Sequence, residues 1–157
     1  MKVQTVRFGE IEVDEARIIT MKGCILGFDH LQNYIILLHN RNTPLCWMQS
    51  LEDSTVAFVV IDPSVIKPDY HPVLHKTDCA FLEISREEEL SFLSIVTIRH
   101  NPLSVTANLR APLVINVEKR LGSQIILEDP SYSVWYAVSS SESNENSGMA
   151  KISVLSA

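Results

Sequence analysis

Apolar residues in this chain come in short packets rather than in long periodic runs. Segments rich in Val and Ile recur along it, each closed by Gly, Pro, Asn or Asp, and a short β-branched packet between turn residues is a strand signal. The first, Val3 to Phe8, sets Val3, Thr5 and Arg7 against Gln4, Val6 and Phe8. It runs into Gly9-Glu10 with Ile11 and Val13 beyond, which predicts an opening β-hairpin. Further strands are predicted over Tyr34–His39, Leu45–Gln49, Val56–Ile61, Leu90–Ile98, Ala111–Val117, Gln124–Glu128 and Ser133–Val138. Asp62-Pro63 ends the Val56–Ile61 run, because proline cannot donate to a ladder. Between Ile115 and Ile126 the charged, glycine-containing stretch Asn116 to Ser123 reads as a hairpin turn. Helix signals are confined to Thr77-Asp78 ahead of Cys79 to Leu82, and to Ser85 with Glu88 three places on, a capping-box spacing. Many short strands with little helix predict an all-β fold: a compact antiparallel β-barrel or closed sandwich with at most short helical turns, which hides or removes strand edges.

The chain has 157 residues, of which 46% are apolar and 20% charged. That is the size and mix of one domain able to bury its own core. From Ser139 the run SSSESNENS has no apolar residue and cannot offset the entropy of ordering. The domain is therefore expected over 1–138, followed over 139–157 by a flexible Ser/Glu/Asn-rich linker and a short apolar segment, MAKISVLSA. Thirteen Lys and Arg against 19 Asp and Glu leave a net charge of −6, which argues against direct, sequence-independent binding of nucleic acid, where clustered cations neutralise phosphates. The opening MKVQTVRFGE has no signal-peptide core, and no apolar run nears the ~18 residues of a membrane helix. Three cysteines, Cys24, Cys46 and Cys79, are not a secreted disulfide framework. These features predict a cytoplasmic protein without membrane contact.

Local signatures of catalysis are missing. There is no phosphate-cradling glycine loop, no Gly-x-Ser-x-Gly, no Cys-x-x-Cys and no His-Glu-x-x-His. A triad assembled from distant residues would leave no such trace. His71, His75 and Cys79 are spaced four apart, as metal ligands on one helical face would be, but Pro68 and Pro72 disfavour a continuous helix there. Loop histidines and a buried thiol are the simpler reading, and no catalytic, cofactor or metal residue is assigned. His30, His39 and His100 sit beside turn residues. Glu87-Glu88-Glu89 reads as a solvated face guarding the strand that follows. Trp47, alternating with strand neighbours, is expected in the core, whereas Trp135 suits a core or an interface equally.

Three stretches carry a resemblance: TVRFGEIEVDEARIITM, then TPLCWMQSLEDSTVAFVVIDPSVIKPDYHPVL, then SIVTI with SVTANLRAPLVINVEKRLGSQIILED. Together they span about Val3 to Tyr132 and resemble the flagellar assembly factor FliW family, most specifically through the run from Thr106 to Asn116. The resemblance implies a compact β-barrel-like fold, in agreement with the strand reading. It also implies a non-enzymatic partner-switching protein that binds flagellin and, once freed, binds and antagonises the translational regulator CsrA, relieving repression of flagellin mRNA. Met21 to Phe28, MKGCILGF, lacks both prolines of the family's usual loop there, and the usual basic ending is replaced by Ser133 to Val138 and the Ser-rich tail. An alternative is a β-barrel module for nucleic acid or a small ligand, and a third is a small hydrolase with a nonlocal site.

The resemblance places a candidate partner-binding surface at Thr106, Ala107, Asn108, Leu109, Pro112 and Asn116, with a second proline-rich loop contributing Asp62, Pro63 and Tyr70. Asn beside exposed Leu or Tyr near prolines would form a preorganised mixed surface. The structural reading stands beside it: Pro112 can begin a strand, and Asn108 can close a turn through its side chain. Addition of a flagellin segment to an uncovered strand edge is the other expected mode.

Overall fold

The computed structural model describes residues 1–138; the linker and apolar end predicted over 139–157 lie outside the described residues. Strands β1 (Lys2–Thr5) and β2 (Gly9–Glu12) form a separate hairpin. The remaining elements are β3 (Ile19–Gly23), β4 (Asn33–Leu38), β5 (Cys46–Ser50), β6 (Ala57–Ile61), helix α1 (Lys76–Phe81), β7 (Leu90–Arg99), β8 (Ser104–Ala107), β9 (Leu113–Asn116), β10 (Leu121–Gln124) and β11 (Tyr136–Ala137). The fold is mostly β, with 11% helix and a closed barrel of 7 strands, as the short β-branched packets predict.

Strand β7 makes closure possible because, at 10 residues, it is long enough for three partners. Its first half, Leu90 to Leu93, pairs with β9, its middle with β6, and Val96 to Arg99 with β8. The ring runs β7, β6, β5, β4, β3, β10, β9 and back to β7. Its pairings are antiparallel except the one between β3 and β10, which is parallel. Two glycines sit at that seam. A Cβ on Gly23 would fall 2.8 Å from the Ser123 Cβ, and one on Gly122 would fall 2.5 Å from the Met21 sulfur. At each of these pairs one parallel strand lacks a side chain where the other carries one, Gly23 opposite Ser123 and Gly122 opposite Met21.

Strand alternation sorts side chains into two cores. Ile19, Met21, Tyr34, Ile36, Cys46, Met48, Val60, Leu93, Leu113 and Ile115 fill the barrel. The opposite parity of β6 and β7, with Val59, Ile61, Phe92 and Val96, packs a second cluster under the long connections, including Tyr70, Ala107, Leu109 and Leu127. Burial pushes the Cys46 thiol and the Tyr34 hydroxyl up to about 12, so both stay protonated in the barrel.

Several predicted boundaries move for local reasons. The first strand stops at Thr5, whose Oγ1 accepts from Phe8 N at 2.9 Å and donates to Gly9 O at 2.9 Å, closing the turn before Phe8. Strands β3 and β8 fall where only loop was expected, because pairing with β4 and β10, and with β7, supplies order that their own patterns do not. The last hairpin is tighter than read: Arg120 takes φ 57° and its N–H donates to Asn116 O at 2.8 Å. Leu121 to Gln124 are thus strand, and Gln124 to Glu128 only continue it through isolated bonds. Helix α1 begins just after His75 rather than at Thr77-Asp78. The acidic partner at the turn before β7 is Glu89, not Glu88: its Oε1 accepts from Ser85 Oγ (2.9 Å), Arg86 N (3.1 Å) and Arg86 Nε (3.2 Å).

Those bonds, the Ser85 hydroxyl first, hold the Glu89 carboxyl below its usual range. A depressed carboxyl stabilises the fold above its unfolded value, about 4.3, and that contribution is lost as pH falls through the lower folded value. Melting curves of Glu89→Gln should lie well below the wild type at pH 7, with the gap narrowing as pH drops below about 4. A gap independent of pH would show that the ionised form is not what matters.

Trp47 is not core. Its neighbours Cys46 and Met48 point into the barrel, so β5 turns Trp47 outward. There it is half-buried beneath Phe8, with centroids 5.7 Å apart, and Arg7, 4.2 Å above the ring, and its Nε1 donates to His39 Nδ1 at 3.2 Å. Trp135 is 58% exposed, with the Arg99 guanidinium 5.0 Å over its ring.

Candidate functional site

The residues selected from sequence come close together in part, but most lie inside. Ala107, Leu109 and Asn116 are 0% exposed, Asp62 3% and Tyr70 8%. Pro63 and Pro112 are buried, and Thr106 and Asn108 half-buried. Leu109 and Tyr70 join the second core. The Tyr70 hydroxyl donates to Leu109 O at 2.7 Å, which ties the proline-rich loop to the Thr106–Asn116 run, and burial pushes its phenol up.

The two asparagines are turn closers. Asn108 Oδ1 accepts from Arg110 N at 3.1 Å and Ala111 N at 3.0 Å. Asn116 uses its whole amide, donating to Leu82 O (2.9 Å) and Glu83 O (3.1 Å) and accepting from Glu118 N and Lys119 N, both 3.1 Å; this is the full capacity of an amide. Asp62 Oδ1 accepts from Ser64 N at 2.9 Å and Ser64 Oγ at 2.7 Å. The expectation of an exposed Leu or Tyr surface here is therefore corrected. Leu109 and Tyr70 are drawn inward because they pack in one apolar cluster with Phe92 and Val96 of β7 and Val105 and Ala107 of β8.

What these residues do is position the surface around them. The loop running from Asp62 to His75 is pinned at Tyr70 and leaves a cleft on each side. One, of about 580 Å³, lies between Asp62, Ser64, Leu74, Cys79, Arg86 and Phe92. The other, of about 250 Å³, separates His71, Val73 and His75 from Ile126, Glu128 and Asp129. His71 borders both clefts. In the larger cleft the Ser64 hydroxyl donates to Asp62 and the Ser85 hydroxyl to Glu89, so each serves a carboxylate rather than a histidine. His71 lies outside α1 and His75 caps it, so the single helical face needed for a His71, His75, Cys79 ligand set is not built. Proline at 72 keeps that stretch extended. His75 Nε2 instead meets Glu128 Oε1 at 3.1 Å. Among the described residues no cluster of three His, Cys, Asp or Glu is arranged to hold a metal ion, and no helix is long and apolar enough to cross a membrane.

Sequence reasoning passed over Val73 and Ile126, which are 86% and 62% exposed. Neither carried a signal, since Ile126 lies between Ile125 and Leu127 in a continuous apolar run.

The model of the FliW protein family matches residues 2–138, the whole barrel together with its hairpin and covering loops. The chain belongs to the FliW family. Among FliW relatives, the flagellar assembly factor of Syntrophus aciditrophicus is 44% identical over 138 residues, covering 88% of this chain and 87% of that protein. That of Geotalea uraniireducens is 34% identical over 152 residues, 97% of this chain and 93% of the relative. A crystal structure of the flagellar assembly factor FliW superposes with a TM-score of 0.80 at 32% identity, covering 90% of this chain and 99% of the other. In this FliW member the proline-poor stretch Met21 to Phe28 is held by packing. Ile25 is 2% exposed, Phe28 stacks edge-on against Phe58 at 4.9 Å, and Phe28 N donates to Ile25 O at 2.8 Å.

Proposed function

We propose that this chain is a non-enzymatic flagellar assembly factor of the cytoplasm that works by switching protein partners. It binds flagellin and, when flagellin is scarce, binds and antagonises a CsrA-type translational regulator, relieving repression of flagellin mRNA. The observation that carries this reading is the FliW match over residues 2–138, reinforced by relatives whose name is flagellar assembly factor. The site chemistry supports it: the clefts offer serine hydroxyls committed to carboxylates and exposed apolar side chains, a set suited to binding rather than to turnover. A net charge of −6 suits a protein that acts on an RNA-binding regulator without gripping RNA itself. Because Thr106, Ala107, Asn108, Leu109, Pro112, Asn116, Asp62, Pro63 and Tyr70 support the bordering loops, their part in partner binding is to shape the surface rather than to touch the partner.

Affinity purification of the tagged full chain from a flagellated native host should recover flagellin and the CsrA-type regulator in separate complexes, with added flagellin displacing the regulator. Recovery of neither, or of both in one ternary complex, would defeat the switching reading. Salt-sensitive retention of RNA on the purified protein would favour the nucleic-acid module instead.

A further inference from the structure

The smaller cleft has a free strand edge for one bank. Ile125 N donates to Pro112 O at 3.0 Å and Leu127 N to Arg110 O at 2.7 Å. The segment after β10 thus keeps running antiparallel to the 110–112 stretch, with the alternation of an extended strand. In that alternation the backbone groups of Ile126 and Glu128 point the other way, and among the described residues neither N–H has a backbone acceptor. Across the cleft lies the stretch from His71 to His75, whose backbone makes no bond to this edge among the described residues. An unguarded edge beside exposed apolar side chains is a feature proteins usually suppress.

We propose that this slot takes an extended peptide segment of a protein partner, added as a strand along Ile126 to Glu128. The inference rests on the partner-binding reading above and names the surface and the chemistry it uses. Its volume, about 250 Å³, is below the ~300–1,000 Å³ of small-molecule pockets, while backbone pairing along an edge needs no deep cavity. The side chains fix what the segment carries. Ile126 and Glu128 are two apart and so project from the same face of the edge; Ile126 is exposed, and the Glu128 side chain is 82% exposed. A residue opposite Ile126 is therefore apolar, and its neighbour two positions along, opposite Glu128, is Lys or Arg. Asp78 and Asp129 also line the slot and add to the preference for a basic segment. His75, which now meets Glu128 at 3.1 Å, gives up that contact to the incoming cation.

The test uses the full chain and two labelled peptides, Ser-Thr-Val-Thr-Lys-Thr-Val-Thr-Ser and a counterpart with Glu in place of Lys, read by fluorescence anisotropy. The Lys peptide should bind at least tenfold tighter than the Glu peptide, and Glu128→Lys should reverse that order. Ile126→Pro removes a donor that the fold itself does not use and should weaken binding at least tenfold, whereas Ile126→Ala, which keeps the donor, should weaken it less. Hydrogen exchange at the Ile126 and Glu128 amides should slow only when peptide is bound. Equal binding of both peptides, or unchanged binding by a folded Ile126→Pro, would overturn the proposal. So would amides already protected in the free chain, which would give the slot to the chain's own 139–157 segment, or protected only in a dimer, which would give it to a second copy. If the wild type captures flagellin and the regulator, and Ile126→Pro captures both equally well, the slot is refuted and the switching function stands. If the wild type captures neither but binds the Lys peptide in the slot, the reverse holds.

Discussion

Alanine at position 23 is expected to lower the unfolding free energy by about 2–3 kcal/mol, the upper range for overpacking a tight site. The new Cβ would lie 2.8 Å from the Ser123 Cβ and 3.4 Å from the Ser123 Cα. The atoms struck are the Ser123 hydroxyl and Cβ; the hydroxyl can rotate away but the Cβ position is fixed by the backbone of β10, so β3 and β10 must separate. That pairing is the parallel seam of the ring, and opening it exposes the barrel core lined by Ile19 and Met21. Urea denaturation followed by tryptophan fluorescence gives the number. The double variant Gly23→Ala with Ser123→Gly should recover most of the loss, because it removes the group that is struck. At Gly122, by contrast, the atom in the way is the Met21 sulfur, the flexible end of a side chain, and alanine there should cost less. Equal losses at both glycines, or no rescue by Ser123→Gly, would show that the seam does not depend on close approach.

Leu109→Asp should abolish the cooperative folded state. Leu109 is 0% exposed, and its backbone is held on both sides, N–H to Ser133 O at 2.9 Å and C=O to the Tyr70 hydroxyl at 2.7 Å. A carboxylate at that point cannot reach water without dragging both connections off the sheet. An unpaired buried charge together with a lost leucine belongs to the rare class that costs more than ~4–5 kcal/mol, comparable with the ~5–15 kcal/mol of a whole domain. Near-ultraviolet circular dichroism should show loss of fixed aromatic packing around Tyr70, Phe92 and Tyr132, which lie edge-on at 5.8 and 5.0 Å from Tyr70. A Leu109→Asp protein with a native melting curve would return the residue to the surface. Any loss of partner binding in this variant is therefore a folding effect, and partner contacts are better tested at Ile126 and Glu128.

The contrast between those two places shows what the chain's letters reveal. The run from Thr106 to Asn116 stands out in sequence because it is dense in demanding residues: an amide with all its hydrogen bonds filled, a leucine in the core, a proline at a strand entry. Such demands come from packing as readily as from a partner, and a one-dimensional pattern does not distinguish them. Ile126, flanked by residues of the same class, looks like one more core position. Its exposure follows only from β10 ending at Gln124 while the next residues keep pairing on one side.

By itself the sequence determined that this protein is built of short strands, that its domain is an all-β closed fold with little helix, and that it resembles the FliW family. Those properties are local: β-branched content, alternation and turn residues act within a few positions of one another. Only the tertiary structure decided which strands exist without strong patterns of their own, as with β3 and β8, where the seam of the barrel lies, and which face of β5 holds Trp47. It also decided that the family's most specific run is buried and that a free edge lies opposite the His71–His75 stretch. These depend on pairings between residues far apart in the chain, whose energies are set by neighbours that no local window contains.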